Sequence, residues 1–112
     1  MAFKVKLEGK SATLTTDYGK LDANNAQELK EVLHELHKTG NQSLVINLAV
    51  TKYCDSSGLS ALLMTHRISK EVGGTFVLCC LMPNVLKMIQ IAQLDRVFKI
   101  VDTEAEALTM LA

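Results

Sequence analysis

The sequence has no tryptophan and few other aromatic residues, and this scarcity limits what the chain can bind. Only 4% of its 112 residues are aromatic, so few side chains are available to stack on bases or sugars. Twelve basic and twelve acidic residues give a formal net charge of zero, whereas proteins that bind nucleic acid usually carry a basic excess. We therefore expect an aliphatic core and no direct contact with nucleic acid.

Long apolar segments are absent as well. No stretch approaches the roughly 20 apolar residues of a membrane-spanning helix. The first ten residues, MAFKVKLEGK, alternate apolar and charged side chains and lack the apolar block of a signal peptide. These absences predict a cytoplasmic protein that does not insert into a membrane.

The three cysteines, Cys54, Cys79 and Cys80, make a poor disulfide framework, because their count is odd and adjacent strand residues point to opposite faces. The C-x-x-C spacing of many metal sites is missing. We expect free thiols, no metal and no cofactor. Cys79 and Cys80 fall in an apolar run and are expected to react slowly with thiol reagents, whereas Cys54, near a strand end, is expected to react faster.

Apolar residues make up 48% of the chain, which favours one domain spanning residues 1–112. Alternating apolar and polar residues over 3–8 and 12–16 predict an N-terminal hairpin. The apolar runs 43–50 and 75–81 predict strands covered on both faces. Stretches with helical spacing lie between the strands and predict the order β-β-α-β-α-β-α-β-α. This is an α/β sandwich with a mixed, mostly parallel central sheet of four to five strands, an N-terminal hairpin and about four helices.

Asp55, Ser56, Ser57 and Gly58 come directly before an apolar helical stretch. The simplest interpretation is that Asp55 or Ser56 is the N-cap of that helix. A helix cap needs only one polar residue, whereas this segment has several. Gly58, which has no side chain, would also allow the backbone of another molecule to come close. Open sheets place their sites at the carboxyl ends of strands, where this segment is expected to lie. The residues alone leave two interpretations open, a helix cap and a hydroxyl that another protein modifies.

An enzymatic site is not indicated. The sequence D-S-S-G-L differs from the G-x-S-x-G nucleophile elbow. His66 follows the serines by about two helical turns or more, which is too far for it to act as their base. Gly73 and Gly74 lack the rest of a phosphate-binding loop. We predict no catalytic residues, and a nucleotide-binding protein has no motif in its favour.

The same residues resemble the signature of a known family. Residues 44–81 contain a buried strand, then D-S-S-G-L and an apolar helix, and residues 19–22 read G-K-L-D ahead of the first predicted helix. An N-V-L-K-M-I helix, a hydrophobic strand and a short final helix follow. In order and spacing these motifs resemble the anti-sigma factor antagonists, the stand-alone bacterial STAS-domain proteins, over essentially the whole chain. The resemblance implies a STAS-type sandwich.

In that family, the first serine of the pair is phosphorylated by an anti-sigma factor that is itself a serine kinase, and a serine phosphatase reverses the reaction. The unphosphorylated antagonist binds the anti-sigma factor and so releases a sigma factor for transcription. The resemblance implies that Ser56 is the phosphoacceptor. Asp55, Ser57 and Gly58 would complete the phosphorylation and partner-binding loop, and Asp22 would lie close to the phosphoacceptor. It also implies a regulatory module without enzymatic activity, and it leaves the oligomeric state open.

A second function is compatible with the same family. The chain could be a non-switching STAS subunit of a larger assembly, such as a lipid-transport complex or a sensory scaffold, in which the serines only cap the helix. The serine pair Ser56-Ser57 and the acidic Asp22 favour the phosphorylation switch.

Overall fold

A mixed sheet forms the centre of the computed structural model, which describes residues 3–111. Two further, very short strands pair with each other outside this sheet. The strands are β1 (Phe3–Glu8), β2 (Ser11–Thr16), β3 (Lys20–Leu21), β4 (Ser43–Asn47), β5 (Tyr53–Cys54), β6 (Phe76–Cys79) and β7 (Lys99–Val101). The helices are α1 (Ala26–Lys38), α2 (Ser56–Glu71), α3 (Pro83–Ile91) and α4 (Glu104–Thr109), with a 3-10 turn at Leu94–Arg96.

The main sheet has five strands in the order β1-β2-β4-β6-β7. Strand β1 is antiparallel to β2, and every other neighbouring pair is parallel. The predicted fold class, a mostly parallel sheet with an N-terminal hairpin and four helices, is confirmed. The parallel strands end together at Asn47, Cys79 and Val101, so the loops that follow them share one edge of the sheet.

Both faces of the central strands are covered, as the continuous apolar runs predict. Leu44 and Ile46 of β4 belong to the large core cluster under helices α1, α2 and α3. Val45, between them, belongs to a second cluster with Ala107 of α4. Successive side chains of β4 thus enter the core clusters on opposite faces of the sheet. This alternation fixes the register of β4, because a one-residue slip would move each side chain to the wrong cluster.

Strand β1 is a strand as predicted, but it is less buried than its alternation indicates. Phe3 is buried, whereas the exposed fractions are 40% for Val5 and 67% for Leu7. The physical reason is position, because β1 lies at the edge of the sheet and pairs with β2 alone. A period of two therefore identified the strand but not the extent of the helical layer above it.

Strand β4 is shorter than the apolar run 43–50 from which it was predicted. It ends at Asn47, whose side-chain oxygen accepts a hydrogen bond from the backbone N–H of Ala49 at 2.9 Å. The Asn47 amide also donates to Glu104 at the start of α4, at 3.1 Å. This one polar side chain turns the chain out of the sheet, while Leu48 beyond it stays buried.

The three cysteines are free, but their burial contradicts the exposure on which the expected order of reactivity rests. Cys54 and Cys79 are buried and Cys80 is only half-buried. Burial, helped by the neighbouring Asp55 carboxylate, raises the pKa of the Cys54 thiol to about 12. Cys80 follows the last residue of β6 and turns away from the strand with a φ of 64°.

We predict that Cys80 reacts with a maleimide at least about tenfold faster than Cys54 or Cys79 in the native protein, because exposure and thiolate content control thiol reactivity. Peptide mapping after timed quenching measures the three rates. Labelling in denaturant, where all three thiols are accessible, serves as the control. Fastest labelling at Cys54 would contradict the burial described here.

Among residues 3–111, no helix has the length and apolar character needed to cross a membrane.

Candidate functional site

Strands β3 and β5 bring two distant segments of the chain together. Lys20 pairs with Tyr53 and Leu21 with Cys54 in a parallel register. The backbone N–H of Asp55 donates to the carbonyl of Leu21 at 3.1 Å, which extends the pairing by one step. The element order predicted from the sequence contains no strand between the N-terminal hairpin and the first helix, so this pairing is a feature that the sequence did not reveal. It places the G-K-L-D and D-S-S-G segments side by side.

Asp55 is the N-cap of helix α2. Its backbone is extended, with φ −100° and ψ −173°, and its side-chain oxygen accepts hydrogen bonds from the N–H groups of Ser57 at 2.8 Å and Gly58 at 3.1 Å. Two of the four backbone donors that a helix start leaves unpaired are thereby satisfied. Of the two candidates for the cap, the structure selects Asp55.

Ser56 is the first residue of α2, and its side chain is exposed. Within residues 3–111 its hydroxyl makes no hydrogen bond, since the capping bonds at this helix start come from Asp55. The positive end of the helix dipole lies at the same place and favours a negative group there. Ser56 therefore presents a hydroxyl that has no structural duty at a position that tolerates added negative charge.

Gly58 lies beneath the exposed serine and is buried. A Cβ atom at this position would lie 2.6 Å from the Leu21 carbonyl oxygen and 2.7 Å from the Cys54 sulfur. The close approach that a glycine permits is thus made by the chain itself, from β3 and β5, rather than by a partner. Gly58 sets how closely α2 packs on the β3–β5 pair and thereby positions Ser56.

Asp22 directly follows β3 and lies in the turn that starts α1. One of its carboxylate oxygens accepts a hydrogen bond from the N–H of Asn24 at 3.0 Å, and its carbonyl accepts from Ala26 at 2.8 Å. Asn25 occupies the N-cap position without a side-chain capping bond. Its side chain instead accepts from the N–H of Asp22 and donates to the carbonyl of Lys20. The carboxylate of Asp22 is therefore held next to the β3–β5 pairing.

A shallow groove runs between the starts of α1 and α2, with a volume of about 280 Å³. Ser57, which is half-buried, lines this groove, whereas the exposed Ser56 does not. The lining residues are Ala23, Ala26, Gln27, Lys30, Ser57 and Ser60. The two serines of the pair thus differ in exposure, and Ser56 is the one that a second protein reaches more easily.

The residues singled out from the sequence are brought to one edge of the fold, although they do not all have the same kind of position. Asp22, Asp55 and Ser56 border the surface, Ser57 faces the groove, and Gly58 is internal. Sequence reasoning missed Leu21, whose carbonyl joins β3 to β5. A lone leucine inside the polar segment DYGKLDANN was the only signal for it. In the described part of the chain no cluster of His, Cys, Asp and Glu could hold a metal ion.

Comparison with known proteins gives a consistent result. The family model of the STAS domain matches residues 11–107. A curated relative, the anti-sigma F factor antagonist of Paenibacillus polymyxa, is 26% identical over 107 residues, which are 96% of this chain and 84% of the relative.

Solved structures agree in fold. The anti-sigma factor antagonist SpoIIAA in its unphosphorylated form superposes with a TM-score of 0.81 at 23% identity, covering 96% of this chain and 93% of that one. The Bacillus cell fate determinant SpoIIAA in its phosphorylated form gives a TM-score of 0.75 at 20% identity, covering 99% of this chain and 100% of that one. At these identities the structures establish a shared fold and nothing finer.

Proposed function

The chain belongs to the STAS domain family, and from that premise we propose that it is a phosphorylation-switched anti-sigma factor antagonist. When unphosphorylated it binds an anti-sigma factor that is also a serine kinase, and the sigma factor held by that kinase is released for transcription. Phosphate on Ser56 ends the interaction, and a serine phosphatase restores it. The chain is a protein substrate in this cycle rather than an enzyme, and the cycle takes place in the cytoplasm.

One observation carries the proposal, namely that the Ser56 hydroxyl is exposed while Asp55 performs the capping. A non-switching subunit needs a helix cap, and Asp55 supplies it without either serine. A kinase must bring the acceptor oxygen into line with the γ-phosphate of ATP. A free hydroxyl on the first residue of a helix is accessible and held in a fixed position, so it suits this geometry. The curated antagonist described above supports the same function.

The proposed reaction adds a phosphoryl group without rearranging the domain. The Ser56 Oγ attacks the γ-phosphorus of ATP, a new O–P bond forms, the bond to the ADP leaving oxygen breaks, and the hydroxyl proton passes to a base of the kinase. The product carries about −1.5 to −2 charges at pH 7. The start of α2 accommodates this charge, so the effect falls on the partner that docks across Asp22, Asp55 and Ser56.

The test is to incubate the purified chain with ATP and an extract of its own cells, and then to map phosphate by mass spectrometry. Phosphate on Ser56, together with ATP-dependent release of a captured kinase, is the expected result. A phosphate-free protein that stays in a stable multi-subunit assembly would instead support the non-switching subunit.

We further predict that Asp22→Asn slows phosphorylation of Ser56 by about tenfold, equivalent to about 1.4 kcal/mol in the transition state. The asparagine oxygen keeps the hydrogen bond from the Asn24 N–H, so the turn is preserved and only the negative charge of Asp22 is lost. Initial rates of phosphate incorporation measure the effect.

The matched control is Asp17→Asn, which removes an exposed carboxylate on the other side of β3. Its rate is expected to equal that of the unchanged chain. A normal rate for Asp22→Asn would show that Asp22 has no part in the reaction.

A further inference from the structure

A second concave site lies at the end of the sheet opposite to Ser56. It has a volume of about 390 Å³ and opens between the last turns of α2, the start of β6 and the turn before β7. Lys70 lies near the end of α2, a rise of about 21 Å along the helix from Ser56 at 1.5 Å per residue. The lining residues are His66, Lys70, Gly74, Thr75, Phe76, Arg96, Val97 and Lys99. This cavity is distinct from the phosphorylation loop and has no role in the proposed switch.

The charge of this cavity is of one sign. Lys70, Arg96 and Lys99 line it from three different elements, and no aspartate or glutamate is among its lining residues. The ion pair within residues 3–111 is between Lys6 and Glu104, so the three cations have no carboxylate partner in the described part of the chain. In a protein whose net charge is zero, three converging cations without counter-charge make a local site for an anion.

His66 adds a polar group that lacks a partner. Its Nδ1 atom is buried and makes no hydrogen bond to any described residue. The ring is held between Phe76 and Phe98, with ring centroids 6.0 Å and 5.9 Å away. Burial lowers the pKa of His66, and Lys70, Lys99 and Arg67 lower it further. Because Nδ1 is closed off from solvent, a ligand in the cavity does not reach it, and His66 contributes to the site as a lining ring whose NMR signal reports binding.

The negative end of the α2 dipole also lies at this edge and would oppose an anion. Its last carbonyls, however, are occupied. Those of Ile68, Ser69 and Lys70 accept hydrogen bonds from the N–H groups of Val72, Gly74 and Gly73, at 3.1, 2.7 and 3.2 Å. Three full positive charges outweigh the remaining partial charge, which is about half an elementary charge for a whole helix.

We propose that this cavity binds the phosphate group of a small phosphorylated molecule. Lys70, Arg96 and Lys99 would surround the dianion, since charge-assisted hydrogen bonds to phosphate are the strong ones. Phe76 and Val97 provide an apolar wall for the organic part of the ligand. The volume of about 390 Å³ is within the usual range of small-molecule sites. The proposal stands independently of the phosphorylation switch.

The test is a titration of the isotope-labelled chain with phenyl phosphate, followed by NMR at constant ionic strength. Amide shifts are expected at Thr75, Val97 and Lys99, with a ring shift at His66. Inorganic phosphate is expected to compete at the same residues, and benzoate, a monoanion with the same ring, to bind more weakly. The Ser56 amide should not move.

Variants assign the binding to the three cations. Exposed charge pairs contribute up to about 1 kcal/mol, so Lys70→Gln, Arg96→Gln and Lys99→Gln are each expected to weaken binding about two- to fivefold, and the triple variant more than about tenfold. Lys38→Gln, which removes an exposed charge from the end of α1, is the matched control and should bind normally.

Each other outcome overturns the proposal. Chloride displacing phenyl phosphate as well as phosphate does would indicate a diffuse ion cloud. Equal weakening by Lys38→Gln would indicate a net-charge effect, and shifts confined to the start of α2 would place the anion elsewhere. The three side chains are exposed, and thermal unfolding of each single variant checks that the domain is intact.

Discussion

Replacing Ser56 by alanine is expected to abolish phosphorylation while the chain still folds and still binds its kinase. The hydroxyl is the proposed acceptor and has no hydrogen bond to another described residue. Its removal should therefore change the free energy of unfolding by no more than about 0.5 kcal/mol, as for other surface substitutions. In cells, such a variant should act as a permanently active antagonist.

A matched variant separates helix capping from phosphate acceptance, the two roles that the segment 55–58 could have. Asp55→Ala removes the oxygen that accepts from both Ser57 and Gly58 and is expected to cost about 0.5–2 kcal/mol. Urea denaturation of both variants measures the difference. If Ser56→Ala were the more destabilising of the two, Ser56 would be a structural residue and the proposed switch would lose its main support.

Charge at residue 56 is expected to weaken binding in proportion to its magnitude. Phosphate there lies close to Asp55, and like charges facing a partner surface cost several kcal/mol, so phosphorylation should weaken kinase binding about a hundredfold or more. Ser56→Asp supplies a single charge and should weaken it about tenfold. Calorimetry with the purified kinase measures both, and Ser57→Ala, with wild-type affinity and normal phosphorylation, is the control. Phosphate on Ser57 instead would contradict the assignment of the acceptor.

Much of this fold could be predicted because its elements are long and strongly patterned. The alternation of Leu44, Val45 and Ile46 between two clusters is what a covered parallel strand requires. Thr103 caps α4 as its spacing to Glu106 indicates, with the Glu106 N–H donating to its hydroxyl at 3.1 Å. In both cases the physical cause lies within a few neighbouring residues, and periodicity can detect it.

The proposed phosphorylation loop was harder to predict because its geometry depends on two-residue strands. Neither β3 nor β5 is long enough to have a period, and their pairing is a contact between distant segments. The same omission led to the wrong expectation for the exposure of Cys54, which is a buried residue of β5, whereas Cys80 turns out of β6 and is half-buried. The choice between Asp55 and Ser56 as the cap also required coordinates, because both are good capping residues.

The cationic cavity could not be predicted from the sequence either. Lys70, Arg96 and Lys99 stand far apart in the sequence and belong to no motif. Only the parallel order of β6 and β7, with α2 returning to the amino end of the sheet, brings them around one cavity. Charge counting over the whole chain hides them, because the acidic residues that balance them lie elsewhere.

Replacing Gly58 by alanine is expected to destabilise the domain by about 1–3 kcal/mol, the usual cost of an extra methyl group in a packed site. The new Cβ would lie 2.6 Å from the Leu21 carbonyl oxygen and 2.9 Å from its Cγ. That carbonyl cannot retreat freely, since it accepts the backbone hydrogen bond of Asp55. Alanine favours a helix over glycine by up to about 1 kcal/mol, which offsets only part of the clash.

The same substitution should also slow phosphorylation, because relieving the clash moves the start of α2 and with it Ser56. Urea denaturation and initial rates of phosphate incorporation measure the two effects together. Gly19→Ala is the matched control, since a Cβ there meets no atom within 4 Å. It is expected to leave stability within about 0.5 kcal/mol of the unchanged chain and the rate unaffected.

A double-mutant cycle identifies the clash as the cause. The second close contact of the new Cβ is the Cys54 sulfur, at 2.7 Å. Cys54→Ala removes that sulfur, so it should be less harmful in the Gly58→Ala background than alone, with a coupling of at least about 0.5 kcal/mol. Strict additivity would mean that Gly58 acts through the backbone alone, and full stability with a normal phosphorylation rate in Gly58→Ala would contradict the packing that positions Ser56.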